Sequence, residues 1–126
     1  MKEESTVKST GEYVDGLIKL TAKARVWRNA WLGYELAISD KEFIERFKAL
    51  RGDRKRVLIE VDTPVARFTY ASYGDIMRNK KRGRVREFVK FHCPRDFEET
   101  WKALYWFGDF TVNVYIPVMK NVRGGS

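Results

Sequence analysis

The sequence predicts an α+β domain in which a strand-strand-helix-strand unit occurs twice, giving a six-stranded, mostly antiparallel barrel or strongly curved sheet with two helices. Six segments of alternating hydrophobicity, two amphipathic stripes and the same element order in both halves support this fold class. The 126 residues, 44% of them hydrophobic, suit one domain with one core. We place this domain at 13–119, with unit one at about 17–62, unit two at about 65–118, and flexible tails at 1–12 and 120–126.

The first unit begins with a predicted β-hairpin. Residues 18–26 alternate between an apolar face and a face rich in lysine and arginine, which is typical of a half-buried strand. Asn29 can adopt the left-handed turn conformation, and alternation resumes over 32–38. We therefore expect these two strands to pair in antiparallel fashion.

The first helix and the third strand complete this unit. Ser39 followed by Glu42 forms a capping box, and Gly52 supplies a helix end. The apolar stripe of the helix consists of Phe43, Ile44, Phe47 and Leu50. Residues 57–61 alternate again, and Thr63-Pro64 ends that strand.

The second unit repeats this order with one difference in its hairpin. Strands are predicted at 65–73 and 85–93, separated by an unusually long connection at 74–84. A helix follows Pro94 and ends at Gly108. Its inner face consists of Phe97, Trp101, Leu104 and Tyr105. The inner face of the last strand consists of Phe110, Val112, Val114, Ile116 and Val118.

The two helix segments, 40–50 and 94–104, are similar at an offset of 54 residues. The identical pairs are Phe43/Phe97, Glu45/Glu99, Lys48/Lys102, Ala49/Ala103 and Leu50/Leu104. Each helix is followed by Gly-Asp, at 52–53 and at 108–109, and then by an alternating strand. Duplication explains this pattern, and two amphipathic helices that meet the same packing demand are the alternative.

The segment from Cys93-Pro94 through the second helix to Gly108-Asp109 resembles the Pro-led helix and Gly-Asp turn of the cradle-loop barrel group. That group includes double-psi barrels and the swapped-hairpin DNA-binding domains of bacterial transition-state regulators and antitoxins. In the DNA-binding members a Gly-Arg pair lies a few residues before the proline, whereas Gly83-Arg84 lies a full strand before it here. Two fused units resemble the double-psi arrangement more closely, which implies a pseudo-twofold axis. The whole chain also resembles small uncharacterised proteins of viruses of hyperthermophilic archaea.

The charge balance favours a polyanionic partner. Lys and Arg number 25 against 17 Asp and Glu, a formal net charge of +8. Six cations lie within the long connection and just after it, where we expect a mobile basic hairpin loop: Arg78, Lys80, Lys81, Arg82, Arg84 and Arg86. A second basic surface, interleaved with Trp27, comprises Lys19, Lys23 and Arg25. The leading hypothesis is therefore a protein that binds the phosphates of DNA or RNA through these residues.

Two other classes of function remain open. Aromatic side chains such as Trp31, Tyr73 and Trp106 suit a protein-interaction or structural module, for example a homodimer, that does not bind nucleic acid. A small enzyme of unknown reaction is the third possibility. His92 and Cys93 are adjacent in a strand and point to opposite faces, which argues against a nucleophile and its base. No cofactor motif and no metal-ligand spacing is present.

Composition also bears on the compartment. No apolar run approaches the roughly 20 residues that cross a bilayer, and the first residues lack the apolar stretch of a secretory signal. One cysteine cannot form an internal disulfide. We expect a soluble cytoplasmic protein without membrane contact, in the host cytoplasm if the viral resemblance holds. Gln is absent, and His and Cys occur once each, which is typical of a thermophilic source.

Overall fold

The structure is a computed structural model that describes residues 11–14, 16–29, 33–51 and 56–117. It contains seven strands, two α-helices and a short 3-10 helix within these residues. Their bounds are β1 Gly11–Val14, β2 Leu17–Asn29, β3 Gly33–Ile38, α1 Lys41–Arg51, β4 Arg56–Asp62, β5 Arg67–Lys81, β6 Arg84–His92, the 3-10 helix Arg95–Phe97, α2 Glu98–Phe107 and β7 Phe110–Pro117.

Six of these strands close a ring in the order β2-β3-β6-β5-β4-β7, with β7 pairing back onto β2. Every pairing in the ring is antiparallel. The structure thus confirms the α+β class, a six-stranded antiparallel ring and two helices. β1 pairs with the first part of β2 outside the ring and begins at Gly11, within the predicted tail 1–12. Residues 1–10 and 118–126, which include the rest of both predicted tails, lie outside the described residues.

Alternation in the ring strands divides an inner, apolar face from an outer, polar one. The inner residues of β2 and β7 are buried in a single core: Leu20, Ala22, Ala24, Val26, Phe110, Val112, Val114 and Ile116. In β4 the buried positions are Val57, Ile59 and Val61. The predicted inner faces of these strands are therefore confirmed over the described residues. They could be predicted because a strand with one buried face carries an apolar residue at every second position.

The helices cover this core at two places. Phe43 and Phe47 of α1 contact Phe91 of β6, with ring centroids 6.5 and 5.9 Å from that of Phe91. Trp101 of α2 packs against Phe68 and Tyr70 of β5, each with a centroid separation of 5.1 Å. Both predicted apolar stripes therefore face the core.

The ends of the helices match the sequence prediction in part. The capping box at Ser39 was wrong by one residue: the Asp40 carboxylate, not Ser39, accepts a hydrogen bond from the Phe43 backbone N–H, at 3.0 Å. An Asp carboxylate satisfies the free N–H groups of the first turn as well as a serine does and also favours the positive helix end. Gly108 ends α2 as predicted, with φ of 101°. Gly52 lies outside the described residues.

The long connection predicted at 74–84 is not a loop. β5 continues to Lys81 and β6 starts at Arg84, so only Arg82 and Gly83 form the turn, both with positive φ (52° and 78°). Such angles are those of a tight type I′ hairpin turn. Gly83 therefore provides the positive φ that this turn requires, and does not make the tip flexible. β4 pairs with β5 only as far as Tyr73, and β3 pairs with β6 only from Val89 onward.

Residues 77–88 therefore form a two-stranded ribbon in which β5 and β6 pair only with each other; we call it the arm. Beyond its base at Met77, Glu87 and Phe88, the arm has no buried face. The alternation that marks a strand in the sequence is therefore absent over most of its length.

Candidate nucleic-acid interface

The strand register divides the side chains of the arm between two faces. Residues directly opposite each other in an antiparallel pair share a face, and alternate pairs share it too. The row that continues the core-facing residues Ile76 and Val89 contains Arg78, Lys80, Val85 and Glu87. The other row, which continues the outer surface of the barrel beyond Met77 and Phe88, contains Asn79, Arg84 and Arg86. We call this second row the outer face of the arm.

On the core-side row, one carboxylate binds two cations. Glu87 accepts hydrogen bonds from Lys48 of α1 at 3.1 Å and from Arg78 at 3.0 Å. These two bonds, that from Lys48 first, lower the pKa of Glu87 below its ordinary value. Arg78, one of the predicted phosphate contacts, is thus already ion-paired. The Lys48–Glu87 contact also fixes the base of the arm against α1.

The outer face of the arm has no carboxylate and meets the second predicted basic surface. Arg86 lines a groove of about 480 Å³ together with Lys23, Arg25 and Trp27 of β2. Arg86 and Trp27 also line a neighbouring groove of about 710 Å³ between the arm and α1. The structure therefore brings Arg86 of the arm and two cations of β2 into one groove, which Asp40 and Asp109 also line.

An aromatic contact makes this junction possible. Trp27 of β2 and Phe88 of β6 lie on the outer surface with ring centroids 4.8 Å apart. They meet although β3 separates their strands in the ring. Ala37 of β3, paired with Arg25 on one side and Lys90 on the other, is buried beside them and also lines the smaller groove.

The cations along this surface are not equally available to a ligand. Arg25 donates a hydrogen bond to Asp109 at 2.9 Å, and both side chains are well exposed. Among the described residues, Lys23, Arg84 and Arg86 are exposed and have no carboxylate partner. Lys19 lies on the same face of β2, beside Tyr115 of β7, and lines neither groove.

The remaining predicted contacts lie toward the tip of the arm. Lys80 and Arg82 are exposed, with Arg82 in the turn itself. Lys81 pairs with Arg84 across the ribbon. The tip thus carries predicted cations on both faces, whereas only the outer-face row continues onto β2.

The two other reactive side chains that the sequence singled out, Cys93 and His92, differ in burial. Cys93 is buried, and burial, followed by the negative charge of Glu35, raises the pKa of its thiol far above the ordinary value. His92 is exposed on the opposite face, as the sequence predicted. Within the described segments, no three His, Cys, Asp or Glu side chains are grouped so that they could hold a metal ion. A protonated, enclosed thiol does not act as a nucleophile at neutral pH.

Sequence reasoning found the cations of this surface and missed two of its features. It did not sort the arm into two faces, and it did not single out Asn79, which lies directly opposite Arg86 on the outer face. The signal was available in principle, because positions two apart in a strand share a face. It required recognising 74–81 as a continuation of the strand.

None of the helices in the described part of the chain is both long and apolar enough to cross a membrane. Comparison of the chain with protein-family models, with curated protein sequences and with solved structures gave no match. The functional assignment therefore rests on the geometry of the chain itself.

Proposed function

We propose that this protein binds nucleic acid by its phosphates, through the outer face of the arm and the outer face of β2. The observation that carries the proposal is the shared groove in which Arg86 of the arm lies with Lys23 and Arg25. Two separate basic patches would each offer a ligand only a few charges. One continuous surface lets a polyanion contact both at once, and the formal net charge of +8 favours its approach.

Arg84 and Arg86 provide the most direct test, because both lie on the outer face and neither has a carboxylate partner among the described residues. The double variant R84A/R86A removes two positive charges. Each phosphate contact contributes about 0.9 to the slope of log affinity against log salt concentration for duplex DNA. The variant should therefore bind more weakly at low salt and reduce that slope by about 2.

A matched control removes the same charge elsewhere. Arg95 of the 3-10 helix and Lys102 of α2 are exposed and lie outside both grooves. R95A/K102A has the same net charge as R84A/R86A and should keep the affinity and salt slope of the wild type. Equal losses of affinity in the two variants would show that overall charge alone is responsible. A wild-type protein that binds neither duplex nor single-stranded DNA at low salt would refute the proposal.

A homo-oligomeric module is the second candidate, favoured by one observation. The end of α2 exposes two neighbouring aromatic side chains, Trp106 at 78% and Phe107 at 44%. Exposed aromatics of this size are enriched where proteins contact each other. Light scattering gives the molar mass of the wild type and of W106A in solution. A wild-type dimer that is a monomer in W106A, together with no nucleic-acid binding, would favour this candidate.

We also propose that the ring arose by duplication of one strand-strand-helix-strand unit, as in the cradle-loop barrel group. The support is topological. Exchanging β2, β3 and β4 for β5, β6 and β7 leaves the order of strands in the ring unchanged. An experimental structure in which α1 and α2 superpose together with their three strands would support common descent of the units, whereas different helix positions relative to the ring would contradict it.

A further inference from the structure

Resting on the proposed function, we propose that the nucleic acid is B-form duplex DNA and that the arm lies in its major groove with Asn79 and Arg86 facing the base edges. A two-stranded antiparallel ribbon is one of the elements that the major groove admits. The arm has this form over residues 77–88, where neither β4 nor β3 pairs with it. Its two long edges are therefore not covered by other strands of the ring.

The length of the arm matches the depth of the groove. Four residue pairs, from Arg78–Glu87 to Lys81–Arg84, extend past the Met77–Phe88 pair at the barrel surface and end in the turn. At about 3.4 Å per residue they reach roughly 14 Å. The major groove is about 8.5 Å deep. The arm can therefore reach the floor of the groove while the cations of β2 remain at the level of the phosphates.

The side chains on the outer face suit contact with bases as well as with phosphates. Asn79 and Arg86 are both exposed and stand directly opposite each other in the ribbon. In the major groove, arginine pairs with the two acceptors of guanine, and asparagine pairs with the donor and acceptor of adenine. The outer face of the arm itself contains no carboxylate, and Asn79 and Arg86 border Glu45 and Glu87 only in the groove against α1. On the core-side row, in contrast, Glu87 occupies the position opposite Arg78.

Single strands fit the arm less well. Proteins that bind unpaired nucleic acid place exposed aromatic rings along a basic groove, so that successive bases stack on them. The outer face of the arm carries no aromatic residue beyond Phe88, which is buried. Trp27 in the groove is half-buried with its ring against Phe88. Double-stranded RNA fits less well too, because its A-form major groove is too narrow for protein elements to enter.

The first test compares forms of nucleic acid of one sequence. Fluorescence anisotropy is measured with a DNA duplex, the corresponding RNA duplex and the single DNA strand, and then with the DNA duplex in the presence of methyl green or netropsin. We expect the DNA duplex to bind most tightly. The major-groove ligand methyl green should compete with the protein, and the minor-groove ligand netropsin should not.

The outcomes separate this inference from the proposed function. Equal binding of all three nucleic acids, or competition by netropsin alone, overturns the major-groove inference and leaves phosphate binding standing. A protein that binds none of the three refutes both. Tighter binding of the single strand overturns the inference in favour of stacking in the groove beside Trp27.

The second test addresses the base edges through Asn79. A duplex is first selected by the wild type from a pool of random-sequence duplexes, and its affinity is then measured with N79A and with T69A. Thr69 is exposed on the part of β5 that pairs with β4, so its variant is a neutral control. We expect N79A to weaken binding at least about fivefold, because one specific base contact contributes that much or more. Its salt slope should not change, since Asn79 is uncharged.

Loss of affinity in N79A, with T69A like the wild type, supports base contact by the arm. A pool that does not enrich, or an N79A that binds the selected duplex as tightly as the wild type, overturns it. Circular dichroism of each variant confirms that the barrel is folded. Asn79 lies outside the core, and we expect that spectrum to be unchanged.

Discussion

Gly74 is the residue whose replacement tests the packing of α1 on the ring most sharply. It lies on the inner face of β5 opposite Phe91, just before the arm. A Cβ at this position would lie 2.6 Å from Cε1 of Phe91 and 2.7 Å from Cζ of Phe47. Both distances are well below ordinary carbon contacts of about 3.5 to 4.0 Å. Both rings are fully buried, so neither can move away without disturbing its neighbours.

The expected effect of G74A follows from two opposing contributions. Forcing an extra methyl group into a packed core costs about 1 to 3 kcal/mol. Replacing glycine by alanine restricts the unfolded chain and returns about 0.4 to 1 kcal/mol. Because the new methyl group would meet two fully buried rings at once, we place its cost at about 2 to 3 kcal/mol. We therefore expect the free energy of unfolding to fall by about 1 to 2.5 kcal/mol, a substantial share of the roughly 5 to 15 kcal/mol that holds a typical domain together.

Urea unfolding followed by tryptophan fluorescence measures this change, which should appear as a lower midpoint with an unchanged slope. F47L provides the control, since a smaller side chain at position 47 relieves one of the two close contacts. In the double variant G74A/F47L the losses should be less than additive by at least about 0.5 kcal/mol. A G74A protein as stable as the wild type would refute the packing of Phe47 and Phe91 described for this place.

Two further predictions concern titratable side chains. The hydrogen bonds from Lys48 and Arg78 lower the pKa of Glu87 in the folded state. The stability that this carboxylate contributes is therefore present above its unfolded pKa and is lost as the pH falls through its folded pKa. E87Q should therefore lose less stability on acidification than the wild type in urea unfolding at a series of pH values, and an unchanged acid dependence would contradict the ion-paired geometry. Because burial raises the pKa of Cys93, the native thiol should not react with Ellman's reagent at pH 8 and should react fully once urea unfolds the chain; rapid reaction of the native protein would contradict its burial.

The parts of the fold that the sequence predicted are those with one buried face. In β2 and β7, residues such as Leu20 and Val114 point to the core. Every second residue of these strands must therefore be apolar, and this alternation is visible in the sequence. The stripe of each helix is readable for the same reason. The arm could not be recognised in this way, because beyond its base both of its faces are solvated and charged residues occur on each.

The junction between the two basic surfaces was not predictable from local pattern. Arg86 lies in the groove of Lys23 in a ring where β3 alone stands between β2 and β6 and where Trp27 and Phe88 meet across it. Strand order is a non-local property that alternation does not specify. The cap of α1 was a local error, since serine and aspartate stand side by side and both are good caps.

The central claim is that the arm and β2 form a single surface for a nucleic acid. An NMR titration of the labelled protein with a short DNA duplex tests this most directly, by following the backbone amides of Asn79, Arg84 and Arg86 together with those of Lys23 and Arg25. We expect all of these signals to shift with one common midpoint, while those of Arg95 and Lys102 stay in place. Shifts confined to one of the two segments, or centred on the exposed end of α2, would contradict it.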